Sequence, residues 1–335
     1  MTDLTNDRDA SLAARSVQES VVRAKAEIQK AIVGQDRLIE EVLVCLLCRG
    51  HALLEGVPGL GKTYLIRTIG DVLDLSTRRI QFTPDLMPAD IIGTNILVQD
   101  ESGSQLITFQ KGPIFSNVVL ADEINRATPK TQSALLEAMQ EQRVTVGGVE
   151  YRLEPPFIVL ATQNPIEMEG TYPLPEAQMD RFFFKLVVEY PDASDVMEIL
   201  ERTTGAVDPT VSTILRQDEV LTLQSVVREV PATHAVKEYA VRLVYATHPD
   251  SGSAPGDTKT YVRYGASPRG AQSLVLASKV FALLDGRLSA SFEDVRRAAL
   301  PSLRHRIILN FQGEAEGMTT DDIVRTILEQ TPETR

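Results

Sequence analysis

With 335 residues, 43% of them hydrophobic, the chain is long enough for roughly two domains with a substantial core. Its longest unbroken apolar run, Val42 to Leu47 with Cys48 after it, falls far short of the roughly 18 residues of a membrane helix. The acidic, polar start Met1-Thr2-Asp3-Leu4-Thr5-Asn6-Asp7 has no signal-peptide hydrophobic region, so no membrane insertion is expected and the cytoplasm is the default compartment. A formal net charge of −12 weighs against gripping a phosphate backbone, so nucleic acid is not an expected partner.

In chain order, residues 1–15 read as a frayed, flexible segment, and Ser16 to Lys30 as a helix with apolar positions Val17, Val21, Val22, Ala26 and Ile28. Cys45-Leu46-Leu47-Cys48 has the spacing of a redox or half-zinc motif, but it lies in an apolar helical run and has no second pair. Two buried core cysteines are the expectation. The strand-like run Ala52-Leu53-Leu54 then leads into Gly56-Val57-Pro58-Gly59-Leu60-Gly61-Lys62-Thr63, a full match to G-x-x-x-x-G-K-[ST]. In this pattern the glycines let backbone N–H groups turn inward on phosphates, Lys62 reaches the outermost phosphates, and Thr63 opens a helix and offers its hydroxyl to Mg2+. Tyr64, Leu65, Thr68, Ile69, Val72 and Leu73 form the amphipathic helix that the pattern needs as context. A nucleoside triphosphate site is expected.

Val118-Val119-Leu120-Ala121-Asp122-Glu123 reads as a buried parallel strand delivering two carboxylates to the edge where open α/β sheets place ligands. Asp122 fits the metal-side acid. Neighbouring strand residues face opposite ways, so Glu123 is assigned the other task, polarising a water for attack on a γ-phosphate. Phe157-Ile158-Val159-Leu160-Ala161 ends in Thr162-Gln163-Asn164-Pro165, which brings Asn164 to the same edge; an Asn before a Pro is also ordinary turn chemistry. Arg181, in Leu174-Pro175-Glu176-Ala177-Gln178-Met179-Asp180-Arg181-Phe182, and Arg269, in Gly265-Ala266-Ser267-Pro268-Arg269, are candidates for the positive charge that phosphoryl transfer requires.

The α/β core is expected over 16–190, with a last strand at Phe183 to Val188. After Pro191 no comparable strand-like run appears, and helices are expected at Ser194 to Thr204, Gln217 to Arg228, Ala235 to Thr247, Arg269 to Leu284, Ser291 to Leu303 and Thr320 to Glu329. Residues 191–335 therefore read as an all-helical lid, with Asp250 to Asp257 its most mobile loop by turn-former density. His51, His234, His248 and His305 lack metal-ligand spacing, so no structural metal is expected.

Taken in order, GVPGLGKT, VVLADEINRA (Val118 to Ala127), ATQNP (Ala161 to Pro165), LPEAQMDRF (Leu174 to Phe182) and GASPRG (Gly265 to Gly270) resemble the MoxR family of AAA+ ATPases, over about Val21 to Thr331. Ile32-Val33-Gly34-Gln35 is similar to the family's adenine-side segment. The resemblance implies a P-loop NTPase (AAA+) fold, a parallel-sheet core with a C-terminal all-helical lid, using ATP and Mg2+. It implies that Gly56, Pro58, Gly59, Leu60, Gly61, Lys62, Thr63 and Tyr64 hold the nucleotide together with Val33, Gly34 and Gln35. Thr63 and Asp122 then serve the metal, Glu123 is the catalytic base, and Asn164 is the first sensor. Arg269 becomes the second sensor, reaching the γ-phosphate from the lid, and Arg181 the arginine finger acting on a neighbouring subunit's nucleotide. Arg126 either sits at the subunit interface or caps local carbonyls.

A finger acting in trans implies a homo-oligomer, by family precedent a hexameric ring. The family's usual partner is a von Willebrand A domain protein, and its implied work is maturation or activation of a client protein, including metal cofactor insertion. Within the same fold a magnesium-chelatase or gas-vesicle-type subunit is the alternative; a P-loop kinase is a further one, against which Glu123 beside Asp122 argues, since a kinase must keep water out. A scaffold ring with incidental turnover is a third. The resemblance fits best the clade with extra hairpins, here Thr94 to Phe109 and Arg143 to Leu153, whose tips carry no Lys or Arg. Asp100-x-Ser102-x-Ser104 matches a metal-adhesion signature, but it sits where a hairpin turn calls for Asp, Ser and Gly anyway.

Overall fold

The computed structural model describes residues 3–57, 59–99, 104–164, 170–205 and 209–334. The first part of the chain forms α1 (Asp3–Gln29), α2 (Asp36–Leu47), β1 (Ala52–Glu55), α3 (Lys62–Val72), β2 (Thr77–Gln81), α4 (Pro88–Ile92), β3 (Gly93–Gln99), β4 (Gln105–Lys111) and β5 (Val118–Asp122). It continues with α5 (Pro129–Glu141), β6 (Arg143–Val146), β7 (Val149–Arg152), β8 (Ile158–Gln163), α6 (Glu176–Met179) and β9 (Phe184–Val187). The helix expected from Ser16 already begins at Asp3. Ala14, Val17 and Val21 are buried on its inner face.

Five strands form one parallel sheet in the order β2-β5-β8-β1-β9. Successive residues of a strand face opposite ways, and the sequence fills both faces with aliphatics. Ala52, Leu54, Val118, Leu120, Ile158 and Leu160 join one cluster with α1, α2 and α3. Leu53, Val119, Ala121, Val159 and Ala161 join another with Leu135, Leu136 and Met139 of α5. Burial on both faces explains why these strands read as unbroken apolar runs. The edge strand β2 differs: in Thr77-Arg78-Arg79-Ile80-Gln81 only Ile80 is buried, and charged edge residues discourage further pairing.

Both expected hairpins are present. β3 and β4 pair antiparallel, as do β6 and β7. Gly147 and Gly148, at φ 59° and 81°, supply the two left-handed positions of a tight two-residue turn. Asp100 and Ser102 of the adhesion-like signature lie outside the described residues. The β3–β4 arm is anchored at its base, where Phe109 stacks on Tyr151 with ring centroids 4.0 Å apart. Farther out, Leu97 and Ile107 face each other across the strands at 68% and 72% exposure.

The C-terminal part comprises α7 (Ala193–Thr204), α8 (Gln217–Glu229), α9 (His234–Ala246), α10 (Gly256–Tyr261), β10 (Val262–Tyr264), α11 (Pro268–Leu284), α12 (Phe292–Leu303), β11 (Ile308–Leu309), α13 (Phe311–Ala315) and α14 (Thr320–Gln330). The lid is thus helical but not all-helical, because β10 and β11 pair antiparallel. Strands this short, lying beside helices, leave no hydrophobic periodicity long enough to read in the sequence. The loop expected at Asp250 to Asp257 gives way to α10 at Gly256, held by buried Thr258 and by the Thr326 hydroxyl donating to Asp257 Oδ2 at 3.1 Å. Ser291 and Thr319 start α12 and α14 with reciprocal capping boxes to Asp294 and Asp322.

Lid and core share one apolar cluster that runs from Val17, Val21 and Ile28 through Ile39 and Val42 to Leu243, Leu274, Phe281 and Ile323. Cys45 and Cys48 are buried free thiols within it, and burial pushes both thiols up, away from reactivity. Among the described residues no helix is long and apolar enough to cross a membrane.

Candidate nucleotide site

The sheet order brings the C-terminal ends of β1, β5 and β8 together, the place where open parallel sheets bind ligands. From β1 the chain turns through Gly56, where a Cβ would lie 2.8 Å from Val188 Cβ and 2.9 Å from its carbonyl oxygen. Pro58 lies outside the described residues. Gly59 and Gly61 adopt φ 85° and 70°, a region in which L side chains are strained. Gly61 then starts α3 without a capping side chain, so the first-turn N–H groups at Lys62, Thr63 and Tyr64 and the positive end of the helix form a cradle for an anion. Lys62 Nζ donates to Gly56 O at 2.6 Å, across the loop. Burial lowers the Lys62 pKa, and Asp122 and Glu123 oppose that shift.

Lys62, Thr63, Tyr64, Gly59, Gly61, Arg79, Asp122, Glu123, Thr162 and Asn164 line one cavity of about 440 Å³. Asp122 and Glu123 were expected to face opposite ways, yet both line it. Glu123 is no longer on the strand: at φ 57°, ψ 51° it is left-handed, and this turn swings its side chain back beside Asp122. Their partners nonetheless separate them. Asp122 Oδ1 accepts from Thr162 Oγ1 at 2.7 Å and Oδ2 from Arg79 Nη2 at 2.6 Å, whereas Glu123 Oε2 accepts from Gln81 Nε2 at 2.8 Å and Arg126 Nη1 at 3.2 Å. The Glu123 N–H donates to Thr162 Oγ1 at 2.8 Å, which ties the β5 and β8 ends together. Asn164 is buried at the end of β8. The oxygen donors Thr63 and Asp122 suit a hard divalent cation such as Mg2+, and the guanidinium on Asp122 marks that carboxylate as a cation partner.

Beside this cavity lies a more apolar cleft of about 530 Å³, whose walls include Ile32, Val33, Gln35, Leu38, Leu60 and Tyr64. Its size and lining suit a purine base next to the phosphate cradle. Gly34 is not part of its wall; it is pressed against the Asp195 carboxylate, which an added Cβ would strike. Gln35 lines the cleft and donates to Glu189 O at 3.0 Å. Tyr190, Pro191, Ile199 and Arg202 complete the wall from the segment after β9, a contribution that no sequence pattern announced.

The two arginines are elsewhere. Arg181 and Arg269 line a separate cleft of about 280 Å³ with Arg49, Arg228 and Arg306, and none of the residues of the phosphate cavity is among its walls. Arg269 Nη1 lies 3.3 Å from Asp180 Oδ2, next to Arg181 in sequence. Arg269, at the start of α11, thus stands beside Asp180 and Arg181 and not among the walls of the cavity that holds Lys62 and Asp122.

A parallel sheet with a phosphate loop after β1, an acidic pair after β5, a polar amide after β8 and a helical lid defines an AAA+ ATPase domain. Residues 51–184 match the model of the ATPase family associated with various cellular activities (AAA), and residues 256–327 match that of the AAA lid domain. The chain is 44% identical to Chaperone MoxR1 of Mycobacterium tuberculosis, covering 92% of this chain and 80% of that protein. It is 32% identical to Protein MoxR of Methylorubrum extorquens, covering 94% and 95%. The crystal structure of a candidate ATPase from Cytophaga hutchinsonii superimposes with a TM-score of 0.90 at 41% identity over the whole of both chains. The chain belongs to the MoxR family of AAA+ ATPases.

Proposed function

We propose that the protein binds ATP with Mg2+ and hydrolyses its γ-phosphate as a homo-oligomeric ring whose active sites are shared between subunits. The observation that carries this reading is the separation of Arg181 and Arg269 from the phosphate cavity of their own chain. Transfer of a phosphoryl group needs positive charge on its equatorial oxygens, and Arg181 and Arg269, together in a separate cleft, are read as supplying it to a neighbouring subunit's nucleotide. Within one chain, the loop N–H groups and Lys62 hold the phosphates, and Val33, Gln35, Leu60 and Tyr64 hold the base. Thr63 and Asp122 hold Mg2+, which neutralises phosphate charge when bound. Glu123 accepts a proton from the attacking water, and Asn164 orients that water or the γ-phosphate.

We read its biological task as that of a MoxR-type chaperone that remodels a client protein, with a von Willebrand A domain partner, in client maturation or metal cofactor insertion. What supports it is the chaperone name of the Mycobacterium relative and the exposed apolar β3–β4 arm.

The test mixes two variants, Glu123→Gln, which keeps the finger, and Arg181→Ala, which keeps the base. Turnover regained in the mixture supports shared sites. A co-assembled mixture that stays as inactive as its components would refute them.

A further inference from the structure

We propose that Arg79 is a resident counter-ion of Asp122 that Mg2+ must displace, and that it thereby sets the metal demand of the site. This rests on the reading of Asp122 as the metal-side acid. The edge strand β2 pairs with β5 so that Arg79 stands opposite Leu120 and Gln81 opposite Asp122. Residues two apart share a face, so Arg79 and Gln81 both project from β2 at the ligand edge. The Arg79 guanidinium runs along the strand to Asp122, donating to Oδ2 from Nε at 3.0 Å and from Nη2 at 2.6 Å; Nη2 also donates to Gln81 Oε1 at 2.5 Å.

The other oxygen of the same carboxylate, Oδ1, accepts from Thr162. Both oxygens of Asp122 are thus engaged, one by a fixed hydroxyl and the other by a cation. The two partners differ in freedom. The Asp122 side chain is 16% exposed and held in the sheet, whereas that of Arg79 is 50% exposed on an edge strand with space to swing aside. A divalent cation held by Thr63 and Asp122 would compete with Arg79 for the Asp122 carboxylate. Gln81 bridges the two acids, taking Arg79 on its oxygen and giving its amide to Glu123, so displacement of Arg79 also alters the support of Glu123.

The experiment measures the affinity of a fluorescent, non-hydrolysable ATP analogue for the full chain as Mg2+ is titrated, and again in EDTA. Removing a half-exposed ion-pair partner makes Asp122 a better metal site. Arg79→Ala and Arg79→Gln should each lower the Mg2+ half-saturation concentration by about two- to fivefold, while Arg79→Lys stays near wild type. Binding in EDTA reads any direct contact of Arg79 with the phosphates separately from the metal. An unmoved Mg2+ half-point in both neutral variants overturns the proposal, and so does weaker binding in EDTA, which would place Arg79 on the phosphates. If wild type binds no nucleotide and matches Lys62→Ala, the reading beneath the proposal fails, and the proposal with it.

Discussion

Arg306, with 2% of its side chain exposed, holds Nε 2.9 Å from Asp180 Oδ1, and the same carboxylate takes Arg269 and the hydroxyl of Ser267. One acid on the core therefore fastens two parts of the lid, beside Arg181. Burial pushes the Arg306 pKa down to about 10, which still leaves it charged at neutral pH. Removing one partner of a buried pair leaves the other uncompensated, so Asp180→Asn should cost about 3 kcal/mol of stability. Denaturant melts check this. A cost under about 0.5 kcal/mol would mean that the carbonyls of Phe182, Phe183 and Ser302 satisfy Arg306 without Asp180.

Lys62→Ala removes a long cation that reaches across the phosphate loop. Charge-assisted hydrogen bonds contribute about 1.5–3 kcal/mol each, so nucleotide affinity should fall by about ten- to a hundredfold or more. Equilibrium binding of a labelled ATP analogue decides it; affinity equal to wild type would remove the phosphate-loop assignment.

Glu123→Gln preserves shape and the amide can still meet Gln81, but it cannot take a proton. Binding should persist while turnover drops at least roughly a hundredfold, the usual scale for a proton-transfer group. Phosphate release under saturating ATP is the measurement. Turnover at the wild-type rate would assign the base elsewhere.

His51 offers a prediction about acid. Val159 N–H donates to its Nδ1 at 2.9 Å and its Nε2 lies 3.0 Å from Met139 O, so both ring nitrogens are satisfied in the neutral form with the proton on Nε2. Burial pushes its pKa down to about 4 from an ordinary 6.5, and that of His305 well down for the same reason. Between those values the unfolded chain takes up a proton that the folded chain refuses. The stabilising contribution is complete above pH 6.5 and is lost as pH falls towards 4, by at most about 1.4 kcal/mol per pH unit for each site. Urea midpoints at pH 7.5, 6.5 and 5.5 should decline in that order, before most carboxylates titrate. A midpoint that is flat over this range would contradict the burial of a neutral His51.

Much of this molecule was legible in the chain itself. The loop from Gly56 to Thr63, the turn at Gly147 and Gly148, the buried strands ending in Asp122 and Asn164, and the main lid helices depend on backbone preferences and on hydrophobic periods a few residues long. Such local rules act before any distant segment arrives. β2 escaped them: Thr77-Arg78-Arg79-Ile80-Gln81 shows no apolar run, because an edge strand buries only one of its residues here. With it went Arg79 and Gln81, whose partners Asp122 and Glu123 lie 43 and 42 positions away.

Tertiary structure alone decided that Arg269 joins Asp180, 89 residues earlier. It also decided that Glu123 turns back to share a cavity with Asp122, and that Tyr190 and Ile199 close the base cleft. The physical reason is the same in each case. A motif specifies which side chain is available at a strand end or helix start, whereas the partner it meets is set by strand register and helix packing, which sum the burial of residues throughout the chain.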